Sequence, residues 1–184
     1  MRITGGKYVR RIITCPPGEI RPAMDRMRES LFAILGDLSG LSFLDLFSGS
    51  GCVAIEAASR GAEPVHLVEM DRGKKATIEK NLSIIEESNR LFTMDVFRFL
   101  STGAYSYSIV YADPPFPIEN KVSILENVDK NNTVKDDGLF IIHIPKEDRK
   151  LWENRIGSFT LIDERKYGRS ILLFYRKVKD DSDR

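Results

Sequence analysis

The sequence predicts an α/β fold built on a mainly parallel sheet, and three observations carry that expectation. Segments rich in β-branched and aromatic residues alternate with segments of helical periodicity from about residue 22 onward. A glycine-rich turn, Ser48-Gly49-Ser50-Gly51, follows the first strong strand and leads into a helical pattern. After Ile144 the alternation gives way to two strand-like runs joined near Gly168, which predicts an antiparallel hairpin added to the sheet.

Residues 1–20 hold Gly5-Gly6, Pro16-Pro17 and Gly18 around short apolar runs, so they are expected to form a small β arm rather than a domain. A helix then begins after Arg21-Pro22, with Asp25 near its positive end. Met27, Leu31, Ile34, Leu35 and Leu38 recur at helical spacing and supply one buried face. Strands are predicted at Ser42–Phe47, Val65–Glu69, Arg90–Thr93, Ser108–Ala112 and Leu139–Ile144, separated by helices near Gly51–Arg60, Gly73–Glu87, Val96–Leu100 and Glu119–Val128. The terminal hairpin pairs Ser158–Glu164 with Ser170–Arg176, and residues 177–184 read as a polar, disordered tail. The domain proper is therefore expected to span residues 21–176.

A chain of 184 residues supports one well-cored domain. No apolar run is long enough for a membrane span, and the start, Met1-Arg2-Ile3-Thr4, lacks a secretory signal, so a cytoplasmic protein is expected. Cys15 and Cys52 are too few for a disulfide framework and have no metal-ligand spacing with His66 or His143. Reduced thiols and no metal are the expectation. The two histidines sit in apolar, strand-like runs and read as packed core residues without a catalytic role.

The net charge of +1 conceals an asymmetry: residues 1–30 carry seven basic side chains against three acidic ones. Arg2, Lys7, Arg10, Arg11, Arg21, Arg26 and Arg28 thus form a candidate surface for a polyanion, with a solvated terminus as the bland alternative.

The segment Phe43-Leu44-Asp45-Leu46-Phe47-Ser48-Gly49-Ser50-Gly51 carries a buried strand into a helix through glycines that let a ligand approach backbone amides. Together with Ala54 and with Glu69, eighteen residues past Gly51, it also fits the loose dinucleotide fingerprint. Asp45 separates the two possibilities. A nicotinamide cofactor would bring a pyrophosphate that a carboxylate repels, whereas S-adenosylmethionine brings a sulfonium and an ammonium that a carboxylate attracts. Glu69, at a strand end, is a candidate for ribose hydroxyls, with Met70 beside it. Asp95 is a candidate acceptor for the adenine amine or an N-cap for the helix starting at Val96. Phe47, Gly49, Gly51 and Val96 complete the candidate cofactor set.

Ile109-Val110-Tyr111-Ala112-Asp113-Pro114-Pro115-Phe116 is the most informative stretch. A strand delivers Asp113 to the sheet edge, two prolines fix the backbone, and an aromatic follows. Methylating an aromatic amine requires overcoming delocalisation of its lone pair into the ring. The Asp113 carboxylate and Pro114 carbonyl are candidate acceptors for the amine hydrogens, Pro115 holds the turn, and Phe116 is a candidate stacking surface for a base.

These residues together resemble the RsmD family of bacterial 16S ribosomal RNA guanine-N2 methyltransferases. The resemblance extends over Met1–Tyr8, Arg21-Pro22, Asp25–Phe32, Asp45–Gly51, Glu69-Met70-Asp71, Asp113–Phe116 and Tyr167-Gly168. It implies a Rossmann-like, seven-stranded methyltransferase fold, S-adenosylmethionine as donor, and a guanine of 16S ribosomal RNA, within a small-subunit particle, as acceptor. It also implies cofactor roles for Asp45, Gly49, Gly51, Glu69 and Asp95, and target-amine roles for Asp113–Phe116. Val9-Arg10 stands where the family usually has Arg-Gly, and Ala23-Met24 where it favours threonines. Three other readings stay open on residues alone: a nicotinamide-dependent oxidoreductase, a non-catalytic RNA-binding module, and an adenine-specific DNA methyltransferase.

Overall fold

A computed structural model describes residues 1–15 and 22–179, so the expectations for Arg21 and for most of the polar tail fall outside the described residues. The helices are α1 (Pro22–Leu35), α2 (Cys52–Ser59), α3 (Lys75–Leu82), α4 (Val96–Ser101) and α5 (Val122–Lys130). The strands are β1 (Phe43–Leu46), β2 (Val65–Val68), β3 (Asn89–Phe92), β4 (Tyr107–Ala112), β5 (Val134–Pro145), β6 (Arg155–Ile156), β7 (Phe159–Tyr167) and β8 (Ser170–Lys177). They form one sheet in the order β3-β2-β1-β4-β5-β8-β7-β6, the first five parallel and the last three joined antiparallel.

Apolar residues alternate along β1, β4 and β5, and each face buries its own core. Phe43, Tyr111, Ile141 and Phe174 pack on one side with α1, α2 and the N-terminal arm, whereas Leu44, Val110, Ile142 and Leu173 pack on the other with α4, α5 and Trp152. The arm is part of the first core. Ile3 and Ile13 are fully buried, Arg2 bridges Ile12 in antiparallel fashion, and buried Glu56 of α2 accepts the Thr4 amide at 3.0 Å.

Four elements differ from expectation. Among the described residues the sheet has eight strands, because β6, two residues long and too short to show periodicity, adds to β7. Strand β5 begins at Val134: Lys135-Asp136-Asp137-Gly138 reads as a turn, yet Asp137 takes φ 61° and Gly138 admits no Cβ, so the chain kinks without leaving the sheet. Helix α3 ends at Leu82 instead of reaching residue 87, because the Tyr8 hydroxyl donates to the Glu87 carboxylate at 2.7 Å and accepts from the Glu86 amide. Lys177 is not tail but the buried end of β8, its Nζ donating to the Val134 carbonyl at 3.0 Å. No helix among the described residues is long and apolar enough to cross a membrane.

Candidate functional site

The parallel register lines up Leu46, Val68, Phe92, Ala112 and Ile142 in one row across β1 to β5. One residue beyond that row, at the carboxyl edge of the sheet, stand Phe47, Glu69, Asp113 and His143. They line a cavity of about 1140 Å³ with Gly49, Met70, Lys74, Asp95, Val96, Phe97 and the lip Pro114-Pro115-Phe116; Met24, Arg26 and Met27 of α1 and Lys166–Ser170 of the β7–β8 turn complete its wall. The Tyr167 hydroxyl lies 2.5 Å from Ser30 Oγ and ties that turn to α1.

Phe47 turns the chain with φ 59°, a conformation that only glycine adopts freely, and thereby leaves the β1 alternation to pack on the opposite core. Glu69 organises the glycine loop. Its Oε2 accepts from the Gly49 amide at 2.9 Å and its Oε1 from the Asp71 amide at 3.0 Å. A Cβ at Gly51, where φ is 79°, would crowd Leu67 at 3.1 Å. Asp95 caps α4 by accepting from the Arg98 amide at 3.0 Å, and it is exposed toward the cavity with a second oxygen to spare.

Asp45 and Gly51 are the two candidate cofactor residues absent from the cavity wall. The alternation of β1 points Asp45 under α2, where its carboxylate accepts from the Ala54 amide at 3.3 Å and is 1% exposed. Burial, reinforced by the Asp113 and Glu69 carboxylates and opposed by that amide, holds its pKa well above the ordinary aspartate value.

The structure joins His143, read from sequence as core packing, to Asp113. Its Nδ1 lies 2.8 Å from Asp113 Oδ1, and the Phe116 ring stands edge-on to the imidazole at 5.6 Å. The available signal was positional: His143 follows the residue of β5 that pairs with Ala112, so it must neighbour Asp113. Lys121 was also missed. Buried at 4% exposure, it donates to the carbonyls of Phe116 and Ile118 and pairs with Asp148 at 2.8 Å.

The basic candidates scatter. Arg26 reaches the cavity wall. Arg28 is buried and donates to Cys52 Sγ and the Arg2 carbonyl, which leaves it unfit for a phosphate. Lys7 is paired with Glu86 and sits, with exposed Arg10, at the arm's turn. That turn is bonded to Ser59 at the far end of α2, about 12 Å of helix away from the glycine loop. Arg2 and Arg11 are exposed on the same arm, outside the cavity wall. Lys166 and Arg169, which carried no sequence expectation, are exposed at the cavity wall on the β7–β8 turn, and Lys74 lines the same cavity after β2.

Residues 1–176 match the family described as conserved hypothetical protein 95. The chain is 32% identical over 191 aligned positions to ribosomal RNA small subunit methyltransferase D of Escherichia coli, covering all of this chain and 93% of that protein. Among solved structures, the yhhF chain of Escherichia coli superposes with a TM-score of 0.86 at 28% identity, covering 98% of this chain and 99% of that one. A Thermus thermophilus chain superposes with a TM-score of 0.78 at 26% identity, with 98% and 99% covered.

Proposed function

We propose that this chain, which belongs to the conserved hypothetical protein 95 family and to the RsmD group it resembles, transfers a methyl group from S-adenosylmethionine to the exocyclic N2 amine of a guanine in 16S ribosomal RNA. The observation that carries the reading is a single cavity with an acidic floor, Glu69 and Asp95, an Asp-Pro-Pro-Phe lip, and a basic mouth. The floor suits a cationic donor with ribose hydroxyls and an adenine amine; the mouth suits a polyanion.

The residues fit S-adenosylmethionine better than a dinucleotide. In dinucleotide sites the glycine-loop amides face a pyrophosphate, but here the Gly49 amide is already held by the Glu69 carboxylate. Glu69 and Asp95 keep free lone pairs for ribose and adenine, Val96 and Phe97 supply apolar contact, and Asp45 acts from below by holding the start of α2. When bound, the donor supplies a methyl carbon made electrophilic by its sulfonium.

The remaining work belongs to the lip. Asp113 Oδ1 is occupied by His143, which leaves Oδ2 and the Pro114 carbonyl as acceptors for the two amine hydrogens. Holding both hydrogens orients the nitrogen lone pair and draws it out of conjugation. Phe116, 42% exposed, offers a stacking face worth about 1–3 kcal/mol to a base taken out of its helix.

The test is calorimetry with S-adenosylmethionine and with NAD, followed by transfer of labelled methyl to the small subunit or its naked RNA and digestion to nucleosides. Micromolar binding of the former alone and label in N2-methylguanosine support the reading. Binding of NAD alone returns the oxidoreductase; label in N6-methyladenosine replaces guanine with adenine.

A further inference from the structure

His143 is 4% exposed and lines the cavity, yet its Nε2 has no hydrogen-bond partner among the described residues. Buried polar nitrogens in native folds are almost always satisfied, so one without a partner in a cavity-lining side chain, closed to solvent until a base seats against it, asks for a reason. The other ring nitrogen supplies it. Nδ1 lies 2.8 Å from Asp113 Oδ1, and a carboxylate there selects the tautomer with hydrogen on Nδ1. Nε2 is thereby left as a bare lone pair. Phe116, edge-on to the same ring, is the candidate surface for the base.

We infer that His143 is the proton acceptor of the reaction, with Asp113 as the group that sets its tautomer and neutralises the imidazolium. The inference rests on the methyl-transfer reading above. The amine lone pair forms a bond to the methyl carbon as the carbon–sulfur bond breaks, and that bond's electron pair leaves on sulfur as a neutral thioether. The nitrogen then carries one hydrogen too many. The N–H that the Pro114 carbonyl held before transfer turns to Nε2 as the nitrogen becomes tetrahedral and breaks there, the electron pair stays on nitrogen to give the neutral secondary amine, and the imidazolium faces the Asp113 carboxylate until it returns the proton to water. Oδ2 of Asp113 remains free to hold the amine throughout.

A residue that only positions Asp113 would behave differently on substitution. Asparagine at 143 keeps a donor close to the place of Nδ1 but removes Nε2; alanine removes both and leaves a ring-sized space. The expected result for His143→Asn and His143→Ala is a fall in kcat of about 10²-fold, the lower range for general-base catalysis, with S-adenosylmethionine affinity within about twofold of wild type. Added imidazole restores turnover to the alanine variant and not to the asparagine variant. If His143→Ala loses the fold, judged by melting, His143→Asn decides alone.

A readout independent of turnover is the ¹⁵N spectrum of the two labelled histidines, His66 and His143, in the free protein. The expected pattern for His143 is a protonated Nδ1 and a bare Nε2. Near-normal kcat in His143→Asn, or a proton on Nε2 in place of Nδ1, overturns the inference while leaving the methyl-transfer reading intact. Failure of the wild-type protein to bind S-adenosylmethionine or to methylate RNA is the separate failure of that reading.

Discussion

Lys121 and Asp148 form an ion pair at 2.8 Å behind the Asp-Pro-Pro-Phe lip, and the same ammonium donates to the Phe116 carbonyl at 2.9 Å. All three of its hydrogens are thus directed, two of them at the loop that carries the candidate stacking ring. Lys121→Met is expected to lower stability by about 2–4 kcal/mol in urea titrations, since it strands two carbonyls and a carboxylate. It should also lower turnover, leaving S-adenosylmethionine affinity unchanged because Glu69 and Asp95 lie on other segments. Unchanged stability would show that water replaces the ammonium without loss.

Salt dependence should distinguish the mouth from the arm. Lys166 and Arg169 stand beside the cavity, whereas Arg10 lies at the far end of α2. If the mouth pair contacts two phosphates of a single strand, Lys166→Ala with Arg169→Ala flattens the slope of log affinity against log salt by about 1.4. Arg10→Ala with Arg11→Ala is expected to leave the slope as it is. Filter binding of ribosomal RNA over a salt series measures both, and the opposite ranking would return the RNA surface to the arm.

Asp45 predicts a pH-dependent stability. Its folded-state pKa is raised above the ordinary 3.8, first by burial and then by the Asp113 carboxylate. Its stabilising contribution is therefore fully present below the unfolded value and lost as pH rises through the folded one. Asp45→Asn removes that loss. The variant is expected to melt above wild type at neutral and alkaline pH, with the difference vanishing in acid; parallel melting curves across pH would contradict the assignment.

Glu56 anchors the arm. It is fully buried, accepts from the Thr4 amide and hydroxyl, and faces Arg60 at 3.6 Å. Glu56→Ala should cost about 3–5 kcal/mol by leaving Arg60 and the Thr4 amide unpaired, and Glu56→Gln less. Thermal melting gives the order, and proteolysis within residues 1–15 should accelerate in the alanine variant alone.

The sheet, its terminal hairpin and the glycine loop were legible because each has a local signal: alternation, a turn residue, a strand-to-helix junction. What local signals cannot give is register. His143 looks like any apolar-strand histidine until β5 is laid beside β4, and Lys121 looks like a surface lysine until residue 148 folds back behind the lip. Asp45 shows the converse. Its place in the sequence suggests the cavity floor, but period-two alternation and the sharp turn at Phe47 put it beneath the loop. Arg28 belongs to the same class, since its charge is visible in sequence and its burial against Cys52 is not.

The bond between Ser30 and Tyr167 closes the cavity mouth between the first helix and the last hairpin, 137 residues apart. During synthesis, then, the mouth cannot form until the hairpin has left the ribosome, although the glycine loop and the Asp113 lip emerge far earlier. Until β8 arrives, one side of β5 is an open edge of strongly apolar strand, Phe140-Ile141-Ile142-His143-Ile144. A chain stopped after residue 150 would display that edge permanently, so nonsense truncation between β5 and β8 should produce aggregates instead of a weakened enzyme.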